Sequence, residues 1–210
     1  MAHPVHQARS ARTLDAILRS GRKLLNKKPF EEIAVAEIAR TARCSIGGFY
    51  ARFTNKEAML RALEEQLLLE LADELEASLE TADAEGEGIR GLISVYVRTM
   101  VARFRENQTI LQAVVRRNRN PSRVLPHTRR FNERVHGALL ERILARREEI
   151  SHPHPESAAT LGLFFASASA RDAVLGDKLK TYGPAIADDD LAAELIRAYL
   201  AFLGIVYDGA

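Results

Sequence analysis

Apolar residues recur at spacings of three and four along almost the whole chain, which is the periodicity of amphipathic helices. The first such stripe covers about residues 8–26 and ends before Pro29, because proline cannot continue a helix. Shorter stripes over about 35–42 and 45–52 come next, and a long one begins at Asn55, which is a favourable N-cap. Strand-like alternation never persists, and no internal repeat is visible. The pattern therefore predicts an all-α protein.

The remainder of the chain continues in the same way. Residues 81–91, which are rich in glycine and acidic side chains, are predicted to form a loop. Beyond this loop the stripes predict five helices, the third with a bend at Pro126, over about 92–104, 108–117, 122–149, 156–180 and 188–206. The total is about nine helices, and the first three form a small N-terminal domain.

Residues 33–52 meet the physical requirements of a helix-turn-helix, in which two short helices cross steeply through a tight turn. Their inward apolar residues are Val35, Ile38, Ala39 and Ala42 on the first helix and Phe49 and Phe53 on the second, with Cys44 at the corner. Ser45 is a favourable N-cap for the second helix. Gly47 and Gly48 lack side chains, so the helix backbone can approach the major groove of DNA closely.

Basic residues are concentrated at the N-terminal end. Residues 1–56 contain eleven Lys or Arg and four acidic residues, whereas the whole chain has a formal net charge of only +2. A basic segment on an acidic remainder indicates that one end meets a polyanion, with an affinity that depends on salt. A solvated basic face without a partner is the alternative that charge alone leaves open.

These residues together resemble the DNA-binding domain of the tetracycline-repressor (TetR-type) family. The resemblance covers about residues 9–60, and the matching positions are Phe30, Val35, Ile38, Ala39, Ala42, Ser45, Gly47, Phe49, Tyr50, Phe53 and Lys56. It implies a helix-turn-helix DNA-binding domain over 1–56, with the motif at about 33–52. It also implies a helical domain over 57–210 that binds a small-molecule effector and dimerises.

The resemblance implies a double-stranded palindromic operator as the partner of residues 1–56. Ser45 would then cap the recognition helix, Ile46, Gly47 and Gly48 would face base edges, and Tyr50 and Lys56 would hold phosphates. An N-terminal arm could reach the minor groove. The full set of predicted DNA-contacting residues is Arg9, Arg12, Arg43, Ser45, Ile46, Gly47, Gly48, Tyr50, Arg52 and Lys56.

The sequence departs from the family pattern in three places. Ala34 stands where a Ser or Thr usually caps the first helix of the motif, which removes that cap and its phosphate contact. Arg43 replaces the usual turn glycine, so it either strains the corner or adds a phosphate contact. Ile46 and Gly48 replace commoner polar residues, so few hydrogen bonds to bases are expected, and specificity would then depend on thymine methyl groups, DNA shape and the N-terminal arm.

The last two predicted helices carry more apolar residues than one buried face requires, which indicates a second partner for them. A two-fold four-helix interface between two copies of the chain is the expected form. A monomer in which both helices are simply central is the alternative. The predicted interface residues are Leu161, Phe165, Ala168, Leu195, Tyr199 and Phe202.

Large side chains expected near the centre of the body are candidates for an effector pocket, although such residues also form ordinary cores. A pocket of this lining would suit a mostly apolar ligand with a few polar anchors. The candidates are Tyr96, Met100, Phe104, His127, Phe131 and Phe164. The expected function is a regulator, typically a repressor, that an effector releases from its operator.

An enzyme is disfavoured, since the sequence has no glycine-rich phosphate loop, no nucleophile elbow and no paired acids. His152, His154 and Glu156 lie between and beside prolines without a second ligand pair for a metal. We therefore expect no catalytic residue, no metal and no cofactor. A helical module that binds protein instead of DNA remains as the alternative function.

The sequence also bears on location. It has a single cysteine, no apolar run of eighteen residues and no apolar segment of a signal peptide near the N-terminus. These features predict a cytoplasmic protein without a membrane partner.

Overall fold

Helices form the regular secondary structure of the computed structural model, which describes residues 4–117, 125–176 and 179–206, with side chains from residue 11 onward except that of Lys180. Within these ranges there is no strand. The helices are α1 (Pro4–Leu25), α2 (Val35–Thr41), α3 (Ile46–Tyr50), α4 (Lys56–Ala84), α5 (Gly88–Glu106), α6 (Gln108–Arg117), α7 (Pro126–Phe131), α8 (Gly137–Leu144), α9 (Pro155–Leu175) and α10 (Asp188–Phe202). A π turn, Asn132–His136, joins α7 to α8. When α7 and α8 are counted as one helix, the described ranges contain nine α-helices. The all-α prediction is therefore confirmed.

Some predicted boundaries were wrong. The loop expected over 81–91 is confined to a short connection between α4 and α5, because Gly86 and Gly88 make the turn with positive φ values of 71° and 67°. Helix α9 ends at Leu175 and not near residue 180. Pro126 begins α7 at its first turn, where proline is tolerated, so the irregularity in this helix is the π turn and not the proline.

The chain forms two compact units. Unit 1 contains the residues up to Leu67 together with α6 from Thr109, and unit 2 contains Leu68–Gln108 and the described residues from Leu125 onward. Helix α4 contributes to both units. Within the described ranges, no helix has the length and the continuous apolar character needed to cross a membrane.

Unit 1 is built around one apolar core. Its most deeply buried side chains include Ile17, Ile33, Ile38, Phe49 and Met59, each 1% exposed or less. Helix α6 joins this core through Ile110 and Ala113, although it lies far from α1–α4 in the sequence. Leu14, predicted on the inward stripe of α1, lies at its edge and is 36% exposed.

Unit 2 is organised by α5, α9 and α10, each of which packs against the other two, with α8 against α5 and α9. The ring of Tyr199 on α10 lies directly against Gly162 on α9, where an added Cβ would be 2.3 Å from two ring carbons. The Tyr199 hydroxyl donates to the carbonyl oxygen of Ala159 at 2.7 Å. The small residues of α9 therefore allow close packing of α10 inside this unit.

Candidate functional sites

Apolar side chains on the inner faces of α2 and α3 hold the helix-turn-helix of unit 1 together. Ile38 and Phe49 are fully buried, and the ring of Phe49 packs against that of Phe53 with 5.6 Å between centroids. Cys44 lies beside this core at the corner. The inward residues lie where the sequence predicts them, so the opposite face of α3 is directed away from the core.

Local caps fix where the helices around the turn begin. The Ser45 hydroxyl accepts the N–H of Gly48 at 2.9 Å, and the Asn55 side chain accepts the N–H of Ala58 at 2.8 Å. Both predicted N-caps are confirmed. Ala34 occupies the cap position of α2 in an extended conformation and makes no side-chain cap, as its side chain requires.

The turn between α2 and α3 depends on Arg43. Its φ of 54° lies in the left-handed region that favours glycine. The Arg43 N–H donates to the carbonyl oxygen of Arg40 at 3.1 Å, and that of Cys44 donates to Ala39 at 3.0 Å, so the end of α2 is closed normally. Arginine therefore keeps the turn at a cost of about 1 kcal/mol in backbone strain, while its exposed side chain stays a predicted phosphate contact.

The outer face of α3 is accessible and low in relief. Ile46 and Tyr50 are 50% and 53% exposed. A Cβ added at Gly47 would meet nothing closer than the Ser45 hydroxyl oxygen at 3.9 Å, and one at Gly48 would lie 3.2 Å from the same atom. Packing among the described residues therefore does not require glycine at position 47. Its effect is to leave the helix backbone open to another molecule.

Lys56, at the start of α4, bonds to the main chain. Its Nζ lies 2.9, 3.1 and 3.0 Å from the carbonyl oxygens of Phe30, Glu31 and Ile33, and 4.7 Å from the centroid of the Phe30 ring. An ammonium group has three N–H donors, so these carbonyls satisfy all of them. Lys56 therefore fastens the turn before α2 to the start of α4, and its contact with a DNA phosphate stays a prediction.

The remaining predicted DNA-contacting cations differ in their surroundings. Arg12 is exposed on α1, and Arg9 lies on the same helix but its side chain is outside the described residues. Arg52 donates from Nη1 to the carbonyl oxygen of Gly48 at 2.9 Å. Arg52 therefore stabilises the C-terminal end of α3 in addition to any external contact.

A shallow groove opens beside α3, and three carboxylates contribute to it along with one ammonium group. Its lining residues are Glu31, Glu32, Ile33, Ala34, Val35, Tyr50, Thr54, Asn55, Lys56 and Glu57. The groove thus contains two predicted phosphate-contacting residues, Tyr50 and Lys56, next to acidic groups that sequence reasoning did not include.

Unit 2 contains a polar cluster centred on the buried Tyr96, with His136 and Ser167 half-buried beside it. The Tyr96 hydroxyl lies 2.9 Å from His136 Nε2 and 2.6 Å from the Ser167 hydroxyl, which itself donates to the carbonyl oxygen of Leu163 at 2.8 Å. Burial lowers the pKa of His136 to about 4 and raises the pKa of Tyr96. The cluster is therefore uncharged near neutral pH.

The structure brings most of the predicted pocket residues into the interior of unit 2. Tyr96, Met100, Phe104 and Phe131 are buried, and His127 is half-buried. Phe131 contacts the ring of His136 edge-on at 5.8 Å. Phe164 is instead 63% exposed on α9. Sequence reasoning missed His136 and Ser167, because their approach to Tyr96 depends on how α5, α8 and α9 pack.

The predicted dimer residues fall into two groups. Leu161 and Phe165 are 45% and 52% exposed on α9, and with Phe164 they form what we name the apolar face. Phe202 of α10 is half-buried and contacts the Phe165 ring edge-on at 5.9 Å. Ala168 and Leu195 are also half-buried. Tyr199 is only 2% exposed and lies between α9 and α10 inside the unit.

The sequence of unit 1 matches a known family model. Residues 17–63 match the model described as bacterial regulatory proteins, tetR family. The matched segment includes α2, α3 and the first residues of α4, so it contains the whole helix-turn-helix. No curated protein sequence matches the chain significantly.

Solved structures share the fold over nearly the full length. The fatty acid degradation regulator FadR from Bacillus halodurans is 14% identical with a TM-score of 0.62, covering 97% of each chain. FadR from Thermus thermophilus, a repressor solved in complex with lauroyl-CoA, is 22% identical with a TM-score of 0.58, covering 94% of this chain and 97% of that one. A TetR transcriptional regulator from Rhodococcus sp. RHA1 is 15% identical with a TM-score of 0.55, covering 98% and 100%. At these identities the likeness establishes the fold.

Proposed function

Because residues 17–63 match the model of the tetR family of bacterial regulatory proteins, we propose that this chain is an effector-responsive repressor that binds a palindromic operator as a homodimer in the cytoplasm. Residues 1–56 would bind DNA and residues 57–210 would bind the effector and the second copy. The exposed outer face of α3 is the observation that carries the proposal.

That face has the shape and exposure that a major-groove helix needs. Ile46 and Tyr50 are half exposed, and among the described residues a Cβ added at Gly47 would approach only the Ser45 hydroxyl oxygen, at 3.9 Å. Ile46, Gly47 and Gly48 would approach base edges, where an apolar side chain favours a thymine methyl group. Tyr50, Arg43 and Arg52 would contact phosphates, Lys56 would add its charge, and Arg9 and Arg12 would extend to the neighbouring minor groove.

The DNA test uses duplexes selected by the purified chain from a random-sequence pool. We expect one palindromic sequence to be enriched, and Ile46→Glu to abolish its binding by placing a carboxylate against the bases. Leu69→Glu, at a 56% exposed position of α4 in unit 2, is the matched control and should bind normally. If the pool yields no enriched duplex, the DNA-binding proposal fails and the helical protein-interaction module takes its place.

Two recognition helices need a fixed separation of one helical turn of DNA, about 34–36 Å or a multiple of it, which a dimer supplies. The apolar face, with Ala168, Leu195 and Phe202 beside it, is the surface we propose for pairing. Tyr199, inside unit 2, would act only by supporting α10. Sedimentation should give twice the 23.3 kDa chain mass, and Phe165→Glu should give monomers. A wild-type monomer at micromolar concentration would contradict this part.

For the effector we propose a mostly apolar small molecule bound in unit 2 near Tyr96, Met100, Phe104, His127 and Phe131, with the Tyr96–His136 pair as its polar anchor. The lauroyl-CoA complex of the Thermus protein supports an apolar class of ligand. Helix α4 belongs to both units, so an effector that favours one position of α4 would change operator affinity. The first effector to test is lauroyl-CoA, with free CoA as the control. We expect lauroyl-CoA to weaken binding of the selected duplex and free CoA to leave it unchanged.

A further inference from the structure

Arg117, the last residue of α6, lies beside the groove next to α3. Its Nε is 3.5 Å from a carboxylate oxygen of Glu31, and its Nη1 is 3.4 Å from a carboxylate oxygen of Glu57. The guanidinium carbon lies 5.0 Å from the centroid of the buried Phe30 ring, which the Lys56 ammonium group also approaches, at 4.7 Å. Arg117 therefore links the turn before α2 to the first turn of α4.

The position of Arg117 follows from the pattern of α6. Ile110, Ala113, Val114 and Arg117 recur at helical spacing, and the first three pack on the core of unit 1. At the start of this helix, Thr109 donates to the Asn26 side chain at 2.9 Å. These contacts hold α6 on unit 1 from Thr109 to Val114 and place its last residue beside the acidic side of the groove.

The charges of the groove make this cation important. Glu31, Glu32 and Glu57 line it, and the three N–H groups of Lys56 are bonded to carbonyl oxygens. A DNA phosphate that approaches Tyr50 and Lys56 would meet uncompensated carboxylates if Arg117 were absent. Like charges placed together at an interface oppose binding strongly.

Resting on the proposed DNA-binding function, we propose that Arg117 is a positioning residue of the operator site, which neutralises Glu31 and Glu57 so that the groove accepts a phosphate. Helix α6 follows α5 in the chain after one residue, Asn107, and α5 carries Tyr96 and Met100. A displacement of α6 that withdraws Arg117 would restore the negative charge of the groove. Operator release would then include an electrostatic step.

The two roles of Arg117, structural and electrostatic, predict different effects. Its ion pairs are long and half exposed, and pairs of this kind add little to stability. We therefore expect Arg117→Gln to leave the melting temperature nearly unchanged while weakening binding of the selected duplex about tenfold. Arg116→Gln, which removes the same charge from the neighbouring exposed residue, is the matched control and should weaken binding by less than about threefold.

A variant that also lacks the two carboxylates paired with Arg117 is the decisive test. Glu31→Gln and Glu57→Gln, introduced together with Arg117→Gln, should restore affinity to within about threefold of the wild type, since charges in contact couple. If the triple variant binds as weakly as Arg117→Gln alone, Arg117 contacts DNA directly or acts by packing, and the inference is overturned. Equal losses for Arg117→Gln and Arg116→Gln would also overturn it. A wild-type chain that enriches no duplex would instead refute the proposed function itself.

Discussion

The candidate sites of the two units differ in their exposure to solvent. Unit 1 places Ile46, Gly47 and Tyr50 on the outside of a short helix that has an apolar inner face. Unit 2 instead buries Tyr96, whose hydroxyl has two half-buried hydrogen-bond partners, His136 and Ser167. An exposed face suits a rigid, highly charged partner such as DNA, and a largely buried polar group suits a small molecule that leaves water.

The two units also differ in how far their residues favour folding stability. In unit 1 the two glycines within α3 and the left-handed Arg43 each cost stability, and packing among the described residues does not require glycine at position 47. In unit 2 the space at Gly162 is filled closely by the Tyr199 ring. Alanine should therefore stabilise unit 1 at Gly47 and destabilise unit 2 at Gly162.

The largest effect is expected at Gly162. Gly162→Ala would place a Cβ 2.3 Å from the Tyr199 ring, so we expect the free energy of unfolding to fall by about 3 kcal/mol in urea titrations followed by circular dichroism. Ser169→Ala, on an exposed position of the same helix, should change it by less than about 0.5 kcal/mol. Similar values for both variants would show that the Tyr199 ring can move aside.

Acid should weaken unit 2 through His136. Its pKa is lowered to about 4 by burial, so the native state binds fewer protons than the unfolded state between this value and the ordinary pKa of 6.5. Stability from neutral His136 is complete above pH 6.5 and is lost as the pH falls toward 4, by up to about 3 kcal/mol. His136→Gln should flatten this part of the stability profile. An unchanged slope would contradict the assignment.

Gly47→Ala should act in opposite directions on stability and on DNA binding. Alanine fits the open space at this position, so unfolding should cost up to about 1 kcal/mol more. The added methyl group would keep α3 from the bases and weaken the selected duplex about tenfold. Gly137→Ala in α8, where an added Cβ would meet nothing within 4 Å among the described residues, should leave DNA binding unchanged. If both variants bound the duplex equally well, Gly47 would not be part of the DNA-binding surface.

The smallest effect is expected at the turn. Arg43→Gly should raise the free energy of unfolding by about 0.5 kcal/mol, because relief of the left-handed strain exceeds the entropic cost of glycine. Arg43→Ala, which removes the charge but keeps a Cβ, should give no gain. Thermal unfolding of both variants separates the backbone effect from the charge effect.

Sequence alone determined the features that depend on neighbours along the chain. Ser45 and Asn55 cap α3 and α4 by accepting N–H groups three residues ahead, and Phe49 and Phe53 point inward at helical spacing. Such contacts follow from helix geometry, so the all-α class and the helix-turn-helix could be predicted.

Tertiary structure decided the contacts that join distant segments. Tyr96 meets His136 and Ser167 across 40 and 71 residues, and Arg117 meets Glu31 across an even longer stretch of chain. No spacing rule predicts which polar groups will meet when helices pack, because the packing of apolar faces fixes their positions. Helix packing also explains why Phe164, predicted to line a pocket, lies at the surface, and why Tyr199, predicted at the dimer interface, lies in the interior. Both residues belong to apolar stripes, so their sequence pattern did not distinguish them.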